Sequence, residues 1–390
     1  MTAVGEDARS LGDGGRPATG ATAAAGTGTR AGIGAATRRR LVFAGLTVAL
    51  VVLLIVSAGT GQLPIPPDEI LGSIGAHWND LVRGIGLPWL ALPAGPVPAH
   101  PSGEATLWVI RFPRVILAAV VGAALGTAGA VMQGVFRNPL AEPAVIGVST
   151  GAAIGACLVI VMEWTFLGMA TSVVLAFIGG LVTTIVVYAS ARSGGRTEVV
   201  TIVLTGVAVN ALGGAVIALL VFLGDTQQRE QIVFWQLGSL NGTRWQDVAI
   251  ALPVVAVGVI GCLTLSRRLD LLALGERQAR HLGLHVERLR IIAIALVALL
   301  TAGAVAMSGI IGFVGLVVPH LMRMVLGPGH RALLPASALG GAVLLVVADL
   351  VARTAVPYAE LPIGMITALV GGPFFFWLLR RTRKTAGGWA

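Results

Sequence analysis

The sequence predicts an all-α polytopic membrane protein with about ten transmembrane helices and both termini in the cytoplasm. Three observations predict it. Hydrophobic residues make up 56% of the 390-residue chain and charged residues 12%, against about a quarter charged in ordinary globular domains. The charges fall between the apolar runs, and each run is long enough to cross a hydrocarbon core of about 30 Å at about 1.5 Å per helical residue. Of the 27 Lys and Arg, 21 lie on one side of the resulting topology, while Arg83, Arg111, Arg114, Arg229, Arg244 and Arg353 lie on the other. The richer side faces the cytoplasm, and both chain ends belong to it.

Residues 1–37 are rich in Ala, Gly, Thr and Arg with no apolar period, and read as a disordered cytoplasmic tail. The membrane domain then runs over 38–384, followed by a short tail at 385–390. Arg38-Arg39-Arg40 before an apolar run resembles a twin-arginine signal, but 41–60 is longer than a signal core, so an uncleaved first span is expected. A long outer loop, 61–110, holds eight prolines from Pro64 to Pro101. Further spans are expected at 113–134, 144–163, 168–190, 199–223 and 247–266. Ile291–Met322 contains no Asp, Glu, Lys or Arg. As a single helix it would reach about 48 Å, too long for one crossing. A break at Ser308-Gly309 divides it into spans 290–308 and 310–326, and spans 333–352 and 362–380 complete the set. Trp78, Trp89, Trp108, Trp164, Trp235 and Trp245 then lie at or near the outer interface, where amphipathic rings are favoured.

The 53 glycines suit close helix packing, as at Gly122-x-x-x-Gly126 and Gly151-x-x-x-Gly155. Cys157 and Cys262 lie in apolar runs and read as small buried hydrophobes. Gln133, Asn210 and His320 are the polar residues that stand out inside spans, and interhelical hydrogen bonding is their expected role. Glu163, Asp349 and Glu360 fall at span ends, so no carboxylate is expected near the midplane to couple transport to an ion. Thr127-Ala-Gly-Ala-Val131 recurs as Thr301-Ala-Gly-Ala-Val305, which fits either an inverted repeat of four helices or chance among Ala/Gly-rich spans.

Some functions are excluded. The single lysine, Lys384, follows Arg383, so the chain has no P-loop for ATP. No Ser/His/Asp set or His/Cys metal spacing offers enzymatic chemistry. The net charge of +9 is divided among short loops, which argues for the positive-inside rule and against a nucleic-acid surface.

The largest cytoplasmic loop, 267–290, interleaves charges with Leu271, Leu272, Leu274, Ala279 and Leu282 at helical spacing. It reads as one or two short amphipathic helices; a soluble partner or anionic lipid could face them, and the interleaved acids favour the partner. Arg111, Arg114 and Arg353 lie on the outer side, against the general bias. For Arg353, pairing with Asp349 or Glu360 and a landing site for an acidic partner are both open.

These residues resemble a known family. Arg111-Phe-Pro-Arg114, Gly122-Ala-Ala-Leu through Gly129-Ala-Val-Met-Gln133, Arg137-Asn-Pro-Leu-Ala-Glu-Pro143 and Gly147-Val-Ser-Thr-Gly151 occur in order. Trp235-Gln-Leu-Gly-Ser239, Leu274-Gly-Glu276, Gly312-Phe-Val-Gly-Leu-Val-Val-Pro-His320 with Arg323, Asp349-Leu-Val-Ala-Arg353, Glu360-Leu-Pro-Ile-Gly364 and Gly372-Pro-Phe374 follow. Together they resemble the permease subunits of iron-siderophore, haem and cobalamin ABC importers, the FecCD transport family. The resemblance implies a ten-helix permease in a bacterial cytoplasmic membrane, paired with a second copy or a paralogue. It implies two ABC ATPase subunits carrying ATP and Mg, no cofactor on this chain, and an acidic extracytoplasmic substrate-binding protein. Iron(III)-siderophore complexes are the expected cargo, with haem and cobalamin as alternatives. By resemblance, Arg111, Arg114 and Arg353 dock the binding protein. Leu274, Gly275, Glu276, Ala279, Leu282 and Gly283 couple to the ATPase, and Asn210, Trp235, Gly238 and Ser239 belong to the pathway and gate.

Overall fold

Wherever the sequence has an uninterrupted apolar run, the backbone hydrogen bonds close within a helix, as a lipid environment demands. The computed structural model describes residues 34–193 and 196–385. Residues 386–390 of the short C-terminal tail, residues 194–195, and residues 1–33 of the tail expected at 1–37 lie outside the described residues. The last part of that tail, from Ala35, already belongs to the first helix.

The helices are α1 (Ala35–Gly59), α2 (Pro67–Gly84), α3 (Gly103–Phe136), α4 (Val148–Met162), α5 (Ala170–Ser190), α6 (Val199–Leu223) and α7 (Thr226–Leu237). They continue as α8 (Trp245–Thr264), α9 (Ser266–Ala273), α10 (Glu276–His281), α11 (Val286–Ser308), α12 (Val314–Leu326), α13 (His330–Thr354) and α14 (Ile363–Thr385). A two-residue ladder, β1 (Arg192–Ser193) with β2 (Arg196–Thr197), joins α5 to α6.

Each of the ten expected spans contains a helix, that at 310–326 only from Val314, and the break at Ser308-Gly309 falls where α11 ends, at a glycine with φ +68°. Among the described residues, seven helices (α1, α3, α5, α6, α8, α11 and α13) are long and apolar enough to cross a membrane. Three apolar stretches are shorter: α4, α12 and Ile363–Trp377 of α14. The chain is a multi-pass membrane protein by these dimensions. The loop 61–110 is more ordered than its prolines imply. It contains α2, and α3 begins ten residues before the expected span because a π-helical segment, Thr106–Arg111, extends it.

α3 is the centre of the bundle. It packs against α13, α11, α8 and α12 and is buried along most of its length. The contacts are backbone to backbone. A Cβ built on Gly122 would sit 2.2 Å from the Gly341 carbonyl oxygen, and one on Gly129 would sit 1.8 Å from that of Gly315. Gly151 of α4 and Gly179 of α5 approach each other in the same way. Small residues allow such approaches and the dispersion contacts that follow from them. Cys157 and Cys262 are buried, unpaired thiols, as the apolar runs imply.

Candidate functional site

Three polar groupings recur along the bundle. The first joins the outer-loop end of α1 to α3 and α13. Asp349 of α13 is wholly buried, accepts a hydrogen bond from Arg114 Nε on Oδ1 at 2.9 Å, and forms an ion pair through Oδ2 with Arg353 Nε at 3.2 Å without a hydrogen bond. Arg114 Nη1 also donates to both Glu360 oxygens, at 2.9 and 3.0 Å. Arg353 donates to the Ser57 carbonyl at 3.0 Å, the Ser57 hydroxyl at 2.6 Å and the Thr60 carbonyl at 3.2 Å. Arg111 donates to the Ala58 carbonyl at 2.6 Å and to the Leu63 carbonyl. The last carbonyls of α1 lack intrahelical partners and carry the negative end of its dipole, so guanidinium groups gather there. The three arginines singled out by the sequence are thus brought together, but turned inward. For Arg353, pairing with Asp349 is what the structure shows. Glu360 is the solvent-facing member of the set, its side chain 39% exposed.

The second grouping lies midway along the bundle. After α3 the chain turns at Arg137 (φ +50°) and Asn138, runs back inside the bundle, and enters α4 at Gly147. Glu142 on this return accepts the Phe313 backbone N–H at 3.0 Å, just ahead of α12. The two short helices therefore start beside each other. A cavity of about 30 Å³ separates them, lined by Leu125, Glu142, Ser149, Thr301, Gly312 and Gly315. Leu125 lies near the middle of the Phe112–Phe136 helix, so Glu142 sits at mid-depth. The expectation that no carboxylate lies there is corrected: an extended segment that reads as an end loop folds back into the bundle. Thr127 and Thr301, the first residues of the repeated pentapeptide, both carry buried hydroxyls with no hydrogen-bond partner.

Asn210 braces the same return, donating to the Ala144 carbonyl at 3.2 Å and accepting from the Thr150 hydroxyl at 2.6 Å. Gln133 donates to the carbonyls of Gly315 and Leu316 at 3.3 Å and accepts from Arg323 at 3.0 Å. Both act as the interhelical bridges their positions imply. Trp235, Gly238 and Ser239 follow from the end of α7 and meet different neighbours. Ser239 N–H donates to the Ser308 carbonyl at 2.8 Å, and Ile363 N–H donates to the Gly238 carbonyl at 3.0 Å. Gly238 has φ +73°, and a Cβ there would lie 2.7 Å from the Ile310 carbonyl, so only glycine fits. This segment is clamped between the end of α11 and the start of α14; Asn210 belongs to the α4 entrance.

The third grouping is the 266–290 segment, where the amphipathic reading gives two helices, α9 and α10. Leu269 and Leu272 face the core, and Ala279 is wholly buried. Leu274 and Leu282 flank α10 and are 61% and 60% exposed. Gly275 (φ +113°) and Gly283 (φ +80°) bound the helix at angles that side chains rarely adopt. Glu276 pairs with Arg280 at 3.3 Å and with Arg290.

A model of the FecCD transport family matches residues 42–381. The chain belongs to that family. Among its FecCD relatives, the hemin transport system permease protein HmuU of Yersinia pestis is 44% identical over 286 residues, covering 72% of this chain and 85% of the relative. The cobalamin import system permease protein BtuC of Halobacterium salinarum is 43% identical over 353 residues, covering 85% and 94%. A solved metal-chelate type ABC transporter in an inward-facing conformation superposes with a TM-score of 0.74 at 33% identity, over 88% of this chain and 99% of that one. The protein is a permease of the ABC importer class.

Within this FecCD permease, Glu142 and Arg290 are the functional candidates that sequence reading missed. The signal for Glu142 was the prolines that bracket it (Pro139, Pro143), which mark extended backbone in what reads as an end loop. Glu142→Ala leaves the Phe313 N–H without its carboxylate, an orphaned buried donor costing about 1–3 kcal/mol. Glu142→Gln keeps an acceptor and should stay near wild type. Thermal unfolding in detergent checks both; equal melting of the alanine and wild-type proteins would contradict the assignment.

Proposed function

We propose that this chain is the membrane subunit of an ATP-driven, binding-protein-dependent importer in a bacterial cytoplasmic membrane, moving a bulky metal chelate inward. Family membership carries the permease role. The carrying observation for the rest is the pair of exposed leucines around α10, an apolar ridge at the foot of the bundle held in place by a buried core. Such a ridge fits a groove on a soluble subunit better than it fits water. In this reading Leu274, Gly275, Glu276, Ala279, Leu282 and Gly283 meet a partner ATPase, which holds ATP and Mg, and the chain itself holds no cofactor. The end of the bundle with 61–110 is extracytoplasmic, and both termini are cytoplasmic by the charge bias. A second copy or a paralogue completes the pathway, with Asn210, Trp235, Gly238 and Ser239 along it.

Binding-protein docking at Arg111, Arg114 and Arg353 requires these guanidiniums to exchange internal partners for external carboxylates. Glu360 is the member open to that exchange, since its side chain is partly exposed. Within the cluster three arginines stand against two carboxylates, but the outer segments as a whole hold ten Asp and Glu against six Arg, so the pull on an acidic partner is local and short-ranged. For cargo, relatives named for haem and cobalamin stand ahead of the iron(III)-siderophore complexes expected from sequence.

The test is reconstitution. In liposomes, the permease with its ATPase and binding protein should accumulate haem or cobalamin only with ATP, and the permease alone should accumulate neither. Leu274→Asp with Leu282→Asp should keep the protein in the membrane yet release the ATPase, since losing one anchor of an interface costs about 2 kcal/mol or more, roughly thirtyfold in affinity. Uphill uptake by the isolated permease, or an ATPase retained at full affinity by the double variant, would reject this function.

A further inference from the structure

We infer that Arg290 is a positioning residue that fastens α10 to α11 and to strand β2, so that displacement of α10 is passed into the bundle. The inference rests on reading α10 as the ATPase contact. Arg290 lies in the second turn of α11 and is 4% exposed. Its Nη2 donates to Glu276 Oε1, at the first residue of α10, and its Nη1 donates to the Thr197 carbonyl at the end of β2 at 2.7 Å. One turn earlier on α11, Glu287 accepts from the Thr197 hydroxyl and, at 2.6 Å, from the Tyr188 hydroxyl in the last turn of α5. A single polar cluster thus ties α10 to α5, to strand β2 just ahead of α6, and to α11.

The chemistry suits a link that is held throughout a cycle. A guanidinium offers a planar fork with donors in fixed directions, so one side chain can bind two acceptors on separate elements. An ammonium cannot reproduce that geometry. The pair cannot simply open where it stands, because a buried charge stripped of its partner is strongly destabilised. Helix α10 has glycine joints at both ends, Gly275 and Gly283. Besides its packing on α9, it is attached to the rest of the chain through the buried Ala279 and through the Glu276–Arg290 pair. The neighbouring α9 has its own tie, from Asp270 to the His330 backbone N–H at 2.8 Å. Helix α11 then ends at Ser308, whose carbonyl holds Ser239 of the clamped segment. One rigid helix therefore carries Arg290 at one end and the proposed gate at the other.

The test uses the full complex in liposomes, with co-purified ATPase and binding protein and with haem or cobalamin, whichever the wild type accumulates. For Arg290→Gln the ATPase should still co-purify and hydrolyse ATP, while cargo moved per ATP falls at least about tenfold, inside the roughly 5–150-fold range of ordinary coupling energies. Arg290→Lys, which keeps the charge but reaches one acceptor, should fall between, and it carries the same test if the glutamine variant fails to accumulate. An unchanged ratio of cargo to ATP overturns the inference. So does loss of ATPase association together with transport, which would make Arg290 a docking prop. Failure of the wild-type chain to retain any ATPase would instead reject the reading of α10 and this inference with it.

Discussion

Asp349→Ala should be among the most damaging single substitutions in this protein, destabilising it by about 3–5 kcal/mol. Asp349 is wholly buried on α13 and holds Arg114 from α3 at 2.9 Å and Arg353 at 3.2 Å. Removing it leaves two largely buried guanidiniums with Glu360, the Ser57 hydroxyl and backbone carbonyls as their remaining acceptors. The large term is the uncompensated charge, and the value of the ion pair itself is smaller. Asp349→Asn should recover part of the loss, because an amide oxygen still accepts one donor. The check is the amount of folded protein in membranes and its unfolding midpoint in denaturing detergent. Wild-type accumulation of Asp349→Ala would show that the arginines are not held by this carboxylate.

Gly129→Val should separate α3 from α12. A Cβ at 129 would stand 1.8 Å from the Gly315 carbonyl oxygen and 2.5 Å from its Cα. Those are backbone atoms, so no rotamer change relieves the clash and a whole helix must shift. Ordinary overpacking costs about 1–3 kcal/mol where side chains can adjust; this site should exceed that range. Because α12 begins beside Glu142, the shift should also break the Phe313 bond and open the cavity between the two short helices. Gly45→Ala is the matched control, since a Cβ there meets nothing within 4 Å. If both variants melt with the wild type, the close approach of α3 and α12 is wrong.

The helices were legible in sequence because the lipid constraint acts locally: a spanning segment must be apolar along its own length, and a charged gap must separate it from the next. The break at Ser308-Gly309 was legible from length alone. The amphipathic 267–290 loop resolved into α9 and α10 because its leucines keep helical spacing. Three features were hidden, each for a physical reason. The start of α3, Gly103–Ala105, is only a few residues long and runs into a π-helical stretch, Thr106–Arg111, whose four apolar residues are too few to set a period before Arg111, Pro113 and Arg114 interrupt them. Glu142 looked like a loop residue because the sequence gives no depth to the return after Arg137. The inward turn of Arg111 and Arg114 depends on partners far along the chain; Arg114 meets Asp349 across 235 positions. Outer-side charge alone could not distinguish an internal pair from an exposed one, although Asp349 and Glu360 were already candidates for Arg353.

The glycine-mediated approach of α3 to α12 and α13 bears on how such a conduit can widen. Where peptide groups already touch, there is no compressible layer of side chains to absorb sliding, so these three helices form a stiff pillar. Any breathing that admits a large cargo is therefore expected away from that pillar, where α6 shows most of its side chains outward and packs chiefly on α4 and the segment that leads into it.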